Sequence, residues 1–231
     1  MLPFGSSAEN HSLLAAKHMI RILLVDDHDL FRAGVRSILQ NQDGMVVVAE
    51  CANGEDAVEL VRDESPDLIL MDVNMPGIGG IEATRKVLKI APDLKVIAVT
   101  VLSEDPFPHQ LLDAGARGYI SKGSDSDEML EAIREVMRDQ YYISSDVAKK
   151  LTLANFRSGG ESSPFGVLSA REMQVMMMII KGQGTQQISD SLFLSPKTVS
   201  TYRHRLYEKL DVANDVELTH LAMRHGLVES S

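Results

Sequence analysis

From Ile20 onward the chain alternates short apolar runs with stretches of helical spacing. Ile20–Val25 reads as a strand that stops at Asp26-Asp27. Met45–Cys51 is a second run, followed by a helical segment over Gly54–Glu64. Residues 67–71, 94–99 and 118–121 supply three more strands, and residues 124–138 read as a closing helix with Met129, Leu130, Ile133, Val136 and Met137 on one side. Strands apolar on both faces and separated by helices predict a doubly wound, five-stranded parallel sheet with right-handed crossovers. The working site of such a sheet lies at the carboxyl ends of its strands. Those ends carry Asp26, Asp27, Asp72, Thr100 and, past the fifth strand, Lys122.

After residue 138 the pattern changes. Residues 139–164 read as a linker, with a helical piece over 145–154 and then the polar stretch Arg157-Ser158-Gly159-Gly160-Glu161-Ser162-Ser163-Pro164. Everything beyond it reads helical. Ser169 and Glu172 have capping-box spacing, flanked by Leu168 and Met173 as a hydrophobic staple. Gly182 and Gly184 bracket a turn before a short helix from Thr185. Ser195-Pro196 starts a helix that runs to about Leu210. Asn214 and Glu217 start the last helix, and Gly226 fits its C-cap. The predicted division is an extension over 1–18, or an upstream start before Met19, then an α/β domain over 19–138, a linker over 139–164, and an all-α four-helix domain of helix-turn-helix type over 165–228.

At 231 residues the chain suits two domains rather than one. Its net charge of -10 resides entirely in residues 19–138, so the first domain repels nucleic acid and the second binds it only through a local basic face. The lone Cys51 excludes an intramolecular disulfide and a cysteine zinc cluster. No run approaches the roughly 18 apolar residues of a bilayer span, and residues 1–18 have no signal-peptide core, which predicts a cytoplasmic protein with no membrane partner. Met173, Met176, Met177 and Met178 read as core filler. His28, His220 and His225 lack metal-ligand spacing and read as structural or surface residues.

Asp26, Asp27 and Asp72 converge if the sheet forms as predicted. Packed carboxylates repel unless a cation neutralises them, and such a set of hard oxygen ligands suits Mg2+. The cation would shield the approach of a phosphoryl group to a carboxylate nucleophile, with Thr100 hydrogen-bonding a phosphoryl oxygen and Lys122 supplying a point charge. No P-loop or dinucleotide fingerprint is present, and Met75-Pro76-Gly77 reads as a turn that aims the loop after Asp72. One rival reading is an aspartyl-phosphate phosphatase acting on a small phosphorylated substrate. Asn74 stands where that chemistry usually has a second carboxylate, and no cap domain is present to enclose a substrate.

In the second domain, Val199, Tyr202, Leu206 and Leu210 share one side of the helix that starts at Ser195, with Lys197, Thr201, His204 and Glu208 opposite and Ser200 and Arg205 flanking. Residues 197–209 hold four Lys+Arg against one Glu. Thr201, His204 and Arg205 are the candidates for base or groove contact, and Lys197, Arg203 and Lys209 for phosphate contact. The ring of Tyr202 belongs to the core, and its hydroxyl reaches toward a phosphate.

Asp26-Asp27-His28, the stretch from Asp72 to Gly80, Thr100, and Gly115-Ala116-Arg117-Gly118-Tyr119-Ile120-Ser121-Lys122 resemble a bacterial response-regulator receiver domain of the CheY-like fold. The resemblance implies that Asp72 accepts a phosphoryl group from a sensor histidine kinase. It implies that Asp26, Asp27, Asp72 and the backbone carbonyl of Asn74 hold Mg2+, and that Thr100 and Tyr119 form a switch pair. Val101 follows Thr100 where many receivers have alanine, which implies a narrower approach and a longer-lived phosphorylated state.

Leu168-Ser169-Ala170-Arg171-Glu172, Ile188, Leu192, Ser195, Thr198-Val199 and Lys209-Leu210 resemble the LuxR-type domain of the NarL/FixJ class. Asp105-Pro106-Phe107-Pro108, Tyr202-Arg203-His204-Arg205 and the stretch from Asp215 to Ala222 are similar to the GacA/UvrY-like global regulators, which pair with hybrid sensor kinases and activate small regulatory RNA genes. Together these imply a two-component transcription factor rather than an enzyme, with promoter DNA contacted from Lys197, Thr198, Ser200, Thr201, Tyr202, Arg203, His204, Arg205 and Lys209. Phosphorylation is expected to lift the receiver off the DNA-binding helix and to favour a homodimer through Val216 or Leu221. Ser200 and Tyr202 depart from the residues common at those positions, so operator preference does not transfer.

Overall fold

The structure is a computed structural model and describes residues 19–101, 108–149, 164–225 and 227. The extension, most of the polar linker, Gly226, and Asp105-Pro106-Phe107 of the motif after Thr100 lie outside the described residues. The first domain alternates β1 (Ile20–Val25), α1 (Asp29–Gln40), β2 (Met45–Cys51), α2 (Gly54–Glu64), β3 (Leu68–Asp72), α3 (Gly79–Ile90), β4 (Lys95–Thr100), α4 (Pro108–Asp113), β5 (Gly118–Ser121) and α5 (Ser126–Met137). All strand pairs are parallel, in the order β2-β1-β3-β4-β5 and then one more. One sheet face packs on α1 and α5 through Val35, Leu39, Met129 and Ile133. The other packs on α2 and α3 through Ala57, Val61, Ala83 and Val87. Burial on both faces is why these strands show no alternation in sequence.

The sheet has six strands, not five. β6 (Tyr142–Ile143) pairs with β5 directly after α5. Tyr142 N–H donates to Arg117 O at 3.0 Å, and Ser144 N–H to Tyr119 O at 2.9 Å. A two-residue strand carries no periodic signal. The β-prone triplet Tyr141-Tyr142-Ile143 sits within a stretch that reads as linker, and it covers an edge that would otherwise expose unpaired backbone groups. Residues 145–149 follow as helix α6.

A 3-10 turn (Pro164–Val167) leads into α7 (Ala170–Ile180), α8 (Thr185–Ser191), α9 (Pro196–Leu210) and α10 (Asp215–Arg224). Ser169 and Glu172 close the full capping box, and Ser195 caps α9 with Pro196 in its first turn. Asn214 caps α10 by accepting from Glu217 N–H. Phe165, Met173, Met176, Val199, Leu206 and Leu218 form the core of this domain. That apolar cluster continues into the first domain through Val73, Ile81, Leu111 and Tyr119.

Candidate functional site

Three adjoining strand ends build one site. β1 delivers Asp26 and Asp27, β3 ends on Asp72, and β4 ends on Thr100. Register fixes their approach, because Val25 lies opposite Met71 and Asp72 opposite Val99. Asp26 is 3% exposed, Asp72 2% and Thr100 0%. Lys122, one residue past β5, reaches back over the sheet. Its Nζ lies 2.7 Å from Asp26 Oδ2 and 2.8 Å from Asp72 Oδ2, under the Phe31 ring at 5.1 Å. Asn74 N–H donates to Asp72 Oδ1 at 3.1 Å. Gly80 is required where α3 begins, since a Cβ there would stand 2.0 Å from Asp72 O. That contact holds the loop after Asp72 tight against the strand.

Burial raises the Asp72 carboxyl to about 6 and the charge on Asp26 adds to this, while the hydrogen bond from Lys122 offsets only part. For Lys122 burial acts downward, but its hydrogen bonds to Asp26 and Asp72 more than reverse it. The site is therefore short of positive charge. Asp26 Oδ2 and Asp27 Oδ1 are buried without a hydrogen-bond partner of good geometry, apart from the ion contacts to Lys122 and His28. Clustered carboxylate oxygens that share one lysine and one histidine between them suit a hard cation.

His28 differs from its reading as a bland residue. Its Nδ1 lies 2.8 Å from Asp27 Oδ1, 3.1 Å from Asp26 Oδ1 and 3.4 Å from Lys122 Nζ, and it joins Asp26, Asp27 and Asp72 in one potential metal-holding group. Three of the four members, Asp26, Asp27 and His28, are consecutive in the chain, and only Asp72 comes from another strand. The place of His28 directly after Asp26-Asp27 was the available signal. Arg32, whose guanidinium donates to Asp26 O, was equally unforeseen. Tyr119 lies on β5, 2% exposed, within the cluster shared by the two domains.

On α9, Lys197, Ser200, Thr201, His204 and Arg205 are exposed, while Thr198 and Tyr202 are half-buried. Thr198 shares a hydrogen bond with Ser195, and His204 pairs with Glu208 at 3.2 Å. Two of the cations expected on phosphates are paired with carboxylates of their own domain, Arg203 half-buried and Lys209 exposed. Arg203 donates to Thr185 at 2.8 Å and pairs with Asp215, which also accepts from Tyr207. Lys209 pairs with the capping-box Glu172 at 2.7 Å. Both carboxylates are far off in sequence, so a helical wheel of α9 cannot show them. Among the described residues, the first domain's polar contacts to the second fall on α7, on the end of α8 and on Leu168.

Residues 22–134 match the family described as response regulator receiver domain, and residues 166–222 the family described as bacterial regulatory proteins, luxR family. The chain is 54% identical over 213 residues to the response regulator GacA of Pseudomonas viridiflava, covering 92% of this chain and 100% of that protein. It is 52% identical over 209 residues to the response regulator UvrY of Escherichia coli strain K12, covering 90% and 96%. The RcsB response regulator of Salmonella typhimurium, at 21% identity, has the same fold with a TM-score of 0.68 over 90% of this chain and 98% of that one. Among the described residues no helix is long and apolar enough to cross a membrane.

Proposed function

Because the chain belongs to the two-component response regulators with a LuxR-type helix-turn-helix domain, in the GacA/UvrY-like group, and is a phosphorylation-activated DNA-binding regulator, we propose that Asp72 is its phosphoryl acceptor. The observation that carries this reading is the under-neutralised carboxylate at the end of β3, facing Asp26 and bound by Lys122. An oxygen of Asp72 attacks the phosphorus of a phosphohistidine on the sensor kinase. The new O–P bond forms as the P–N bond breaks, and the imidazole leaves with that electron pair. Lys122 holds Asp72 and offers its charge to the transferred group. Thr100, at the neighbouring strand end, donates its hydroxyl to a phosphoryl oxygen, and Tyr119 is its switch partner. Asp26, Asp27, Asp72 and the Asn74 carbonyl would hold Mg2+, with His28 beside them. When bound, the ion supplies the positive charge that lets phosphoryl oxygens approach three carboxylates. Val101, exposed next to Thr100, narrows the approach of water to the acyl phosphate.

The receiver spans 19–138 and the DNA-binding domain 165–228. Thr201, His204 and Arg205 read base edges, while Lys197 and Ser200 meet the backbone with Thr198 and Tyr202 flanking. Arg203 and Lys209 are braces that fix α9 on its neighbours. Val216, 63% exposed on α10, suits the contact of a phosphorylation-favoured homodimer on paired half-sites. A cytoplasmic location fits a kinase and a promoter as partners. The test is incubation of the full chain with acetyl phosphate and Mg2+, read by intact mass. A gain of one phosphoryl group in wild type and none in Asp72→Asn is expected, and equal uptake by both overturns the assignment.

A further inference from the structure

Ser200 and Thr201 carry their hydroxyls on the exposed side of α9, and both hydroxyls are already engaged. Thr201 Oγ1 donates to Lys197 O at 3.0 Å, and Ser200 Oγ donates to Pro196 O at 3.0 Å, each reaching back one helical turn although the side chains are exposed. A hydroxyl has one proton to give, so neither has a donor left for a base. The two residues differ in what remains. Ser200 keeps only lone pairs, whereas Thr201 also keeps a methyl group, on a side chain that in a helix otherwise divides between two χ1 rotamers. The bond to Lys197 O selects one rotamer and holds that methyl in place. Lys197, His204 and Arg205, at i−4, i+3 and i+4 from Thr201, are exposed around it, and each ends in polar atoms. The methyl of Thr201 therefore stands in the middle of a polar face.

We propose that Thr201 reads a thymine through its methyl group, packed against the C5-methyl of the base in the major groove, while its hydroxyl stays on Lys197 O. The inference deepens, and rests on, the reading of Thr201 as a residue that meets base edges. Thymine is the one base that presents a methyl group in that groove. Donation by the hydroxyl to a base would exchange one hydrogen bond for another and gain little. Methyl contact removes apolar surface from water with no bond broken, and little entropy is lost because the side chain is fixed beforehand. Thr201 thereby supplies a discrimination between bases that Lys197, as a flexible point charge, does not.

The test uses the full chain, fluorescence anisotropy and a promoter fragment that the wild type binds, with its thymidines replaced one at a time by deoxyuridine, which lacks only the methyl. Wild type should lose roughly three- to fivefold in affinity at one thymidine per half-site, the factor for one buried methyl. Thr201→Val keeps a methyl and removes the hydroxyl, and it should match wild type on both fragments. Thr201→Ser keeps the hydroxyl and removes the methyl. It should bind the unsubstituted fragment more weakly by the same factor and lose nothing further at that deoxyuridine, because the two losses belong to one contact. Random DNA should bind wild type and both variants equally, which also shows that the variants fold. Weak binding by Thr201→Val with full binding by Thr201→Ser, or a serine variant as sensitive to deoxyuridine as wild type, overturns the proposal. Wild-type promoter affinity in both variants would overturn the reading of Thr201 as a base contact as well, so the two failures are separable.

Discussion

Asp72 and Glu172 are both buried carboxylates beside a lysine, 2.8 Å from Lys122 and 2.7 Å from Lys209, yet their protons are pushed in opposite directions. Burial lifts Asp72 to about 6 and Asp26 adds to it, because Lys122 divides one charge between two carboxylates. Burial acts upward on Glu172 too, but Lys209 together with the amide and hydroxyl of Ser169 outweighs it, so this carboxyl ends below its ordinary range. What separates a working carboxylate from an architectural one is therefore whether its charge is left incompletely answered. The cluster around Asp72 is left under-neutralised, as the proposed cation and phosphoryl site requires, and the cap of the DNA-binding domain is not.

The widest break in that comparison is Asp72→Asn. Phosphoryl uptake should fall to background, while stability in urea at neutral pH without Mg2+ should rise by roughly 2 to 3 kcal/mol, the equivalent of an upward shift of about two pH units. Mg2+ should narrow the gap by stabilising the wild type alone. A loss of stability in the variant would mean that Lys122 already neutralises the pair. Glu172→Ala should move the other way, costing about 2 kcal/mol through a lost buried ion pair and capping box.

The pH dependence sharpens the contrast. A carboxyl raised in the folded state grips its proton more tightly there than when unfolded. Its stabilising contribution is complete below its unfolded value near 3.8 and disappears as pH climbs through about 6. The stability advantage of Asp72→Asn over wild type should therefore be small near about pH 4 and full near about pH 7. Glu172 is lowered, so its contribution is present above its unfolded value of 4.5 and fades as pH falls. The deficit of Glu172→Ala should shrink in acid. Urea midpoints of the two variants against wild type across this range should diverge, and parallel curves would contradict the difference between the sites.

Smaller effects are expected on α9, where charges face water. Arg205→Ala should weaken promoter binding by about 1 to 3 kcal/mol and random DNA less, and equal losses would make Arg205 a phosphate contact. Asp215→Asn releases Arg203 from its ion pair. Binding to random DNA should tighten by at most about threefold and its salt dependence steepen by about one counterion, read by fluorescence anisotropy over a salt series. A shallower slope would show that Arg203 already serves DNA.

Most of the receiver was legible because its strands are apolar on both faces and each ends abruptly on a polar residue, so Asp26, Asp72, Thr100 and Lys122 mark the site before any coordinates. Ser169, Ser195 and Asn214 likewise declared their helices, since a cap is a local event of four residues. What escaped depends on partners distant in sequence. β6 has two residues and draws its stability from the edge of β5. His28 touches its neighbours Asp26 and Asp27, and only Asp72, from β3, completes the group around it. Arg203 and Lys209 look like unpaired cations on a wheel of α9 alone, and Asp215 and Glu172 supply them with partners. Gln174 on α7 donates to the backbone carbonyls of Met75 and Gly77, which no side-chain pattern can announce.

The short parallel strand β6 has a mechanical meaning. Ser144 hangs from the carbonyl of Tyr119, so the tether between the domains starts from the very residue expected to swing on activation. A displacement of that tyrosine's backbone would be felt at residue 144, so the segment leaving the receiver starts on the sheet rather than at the end of α5.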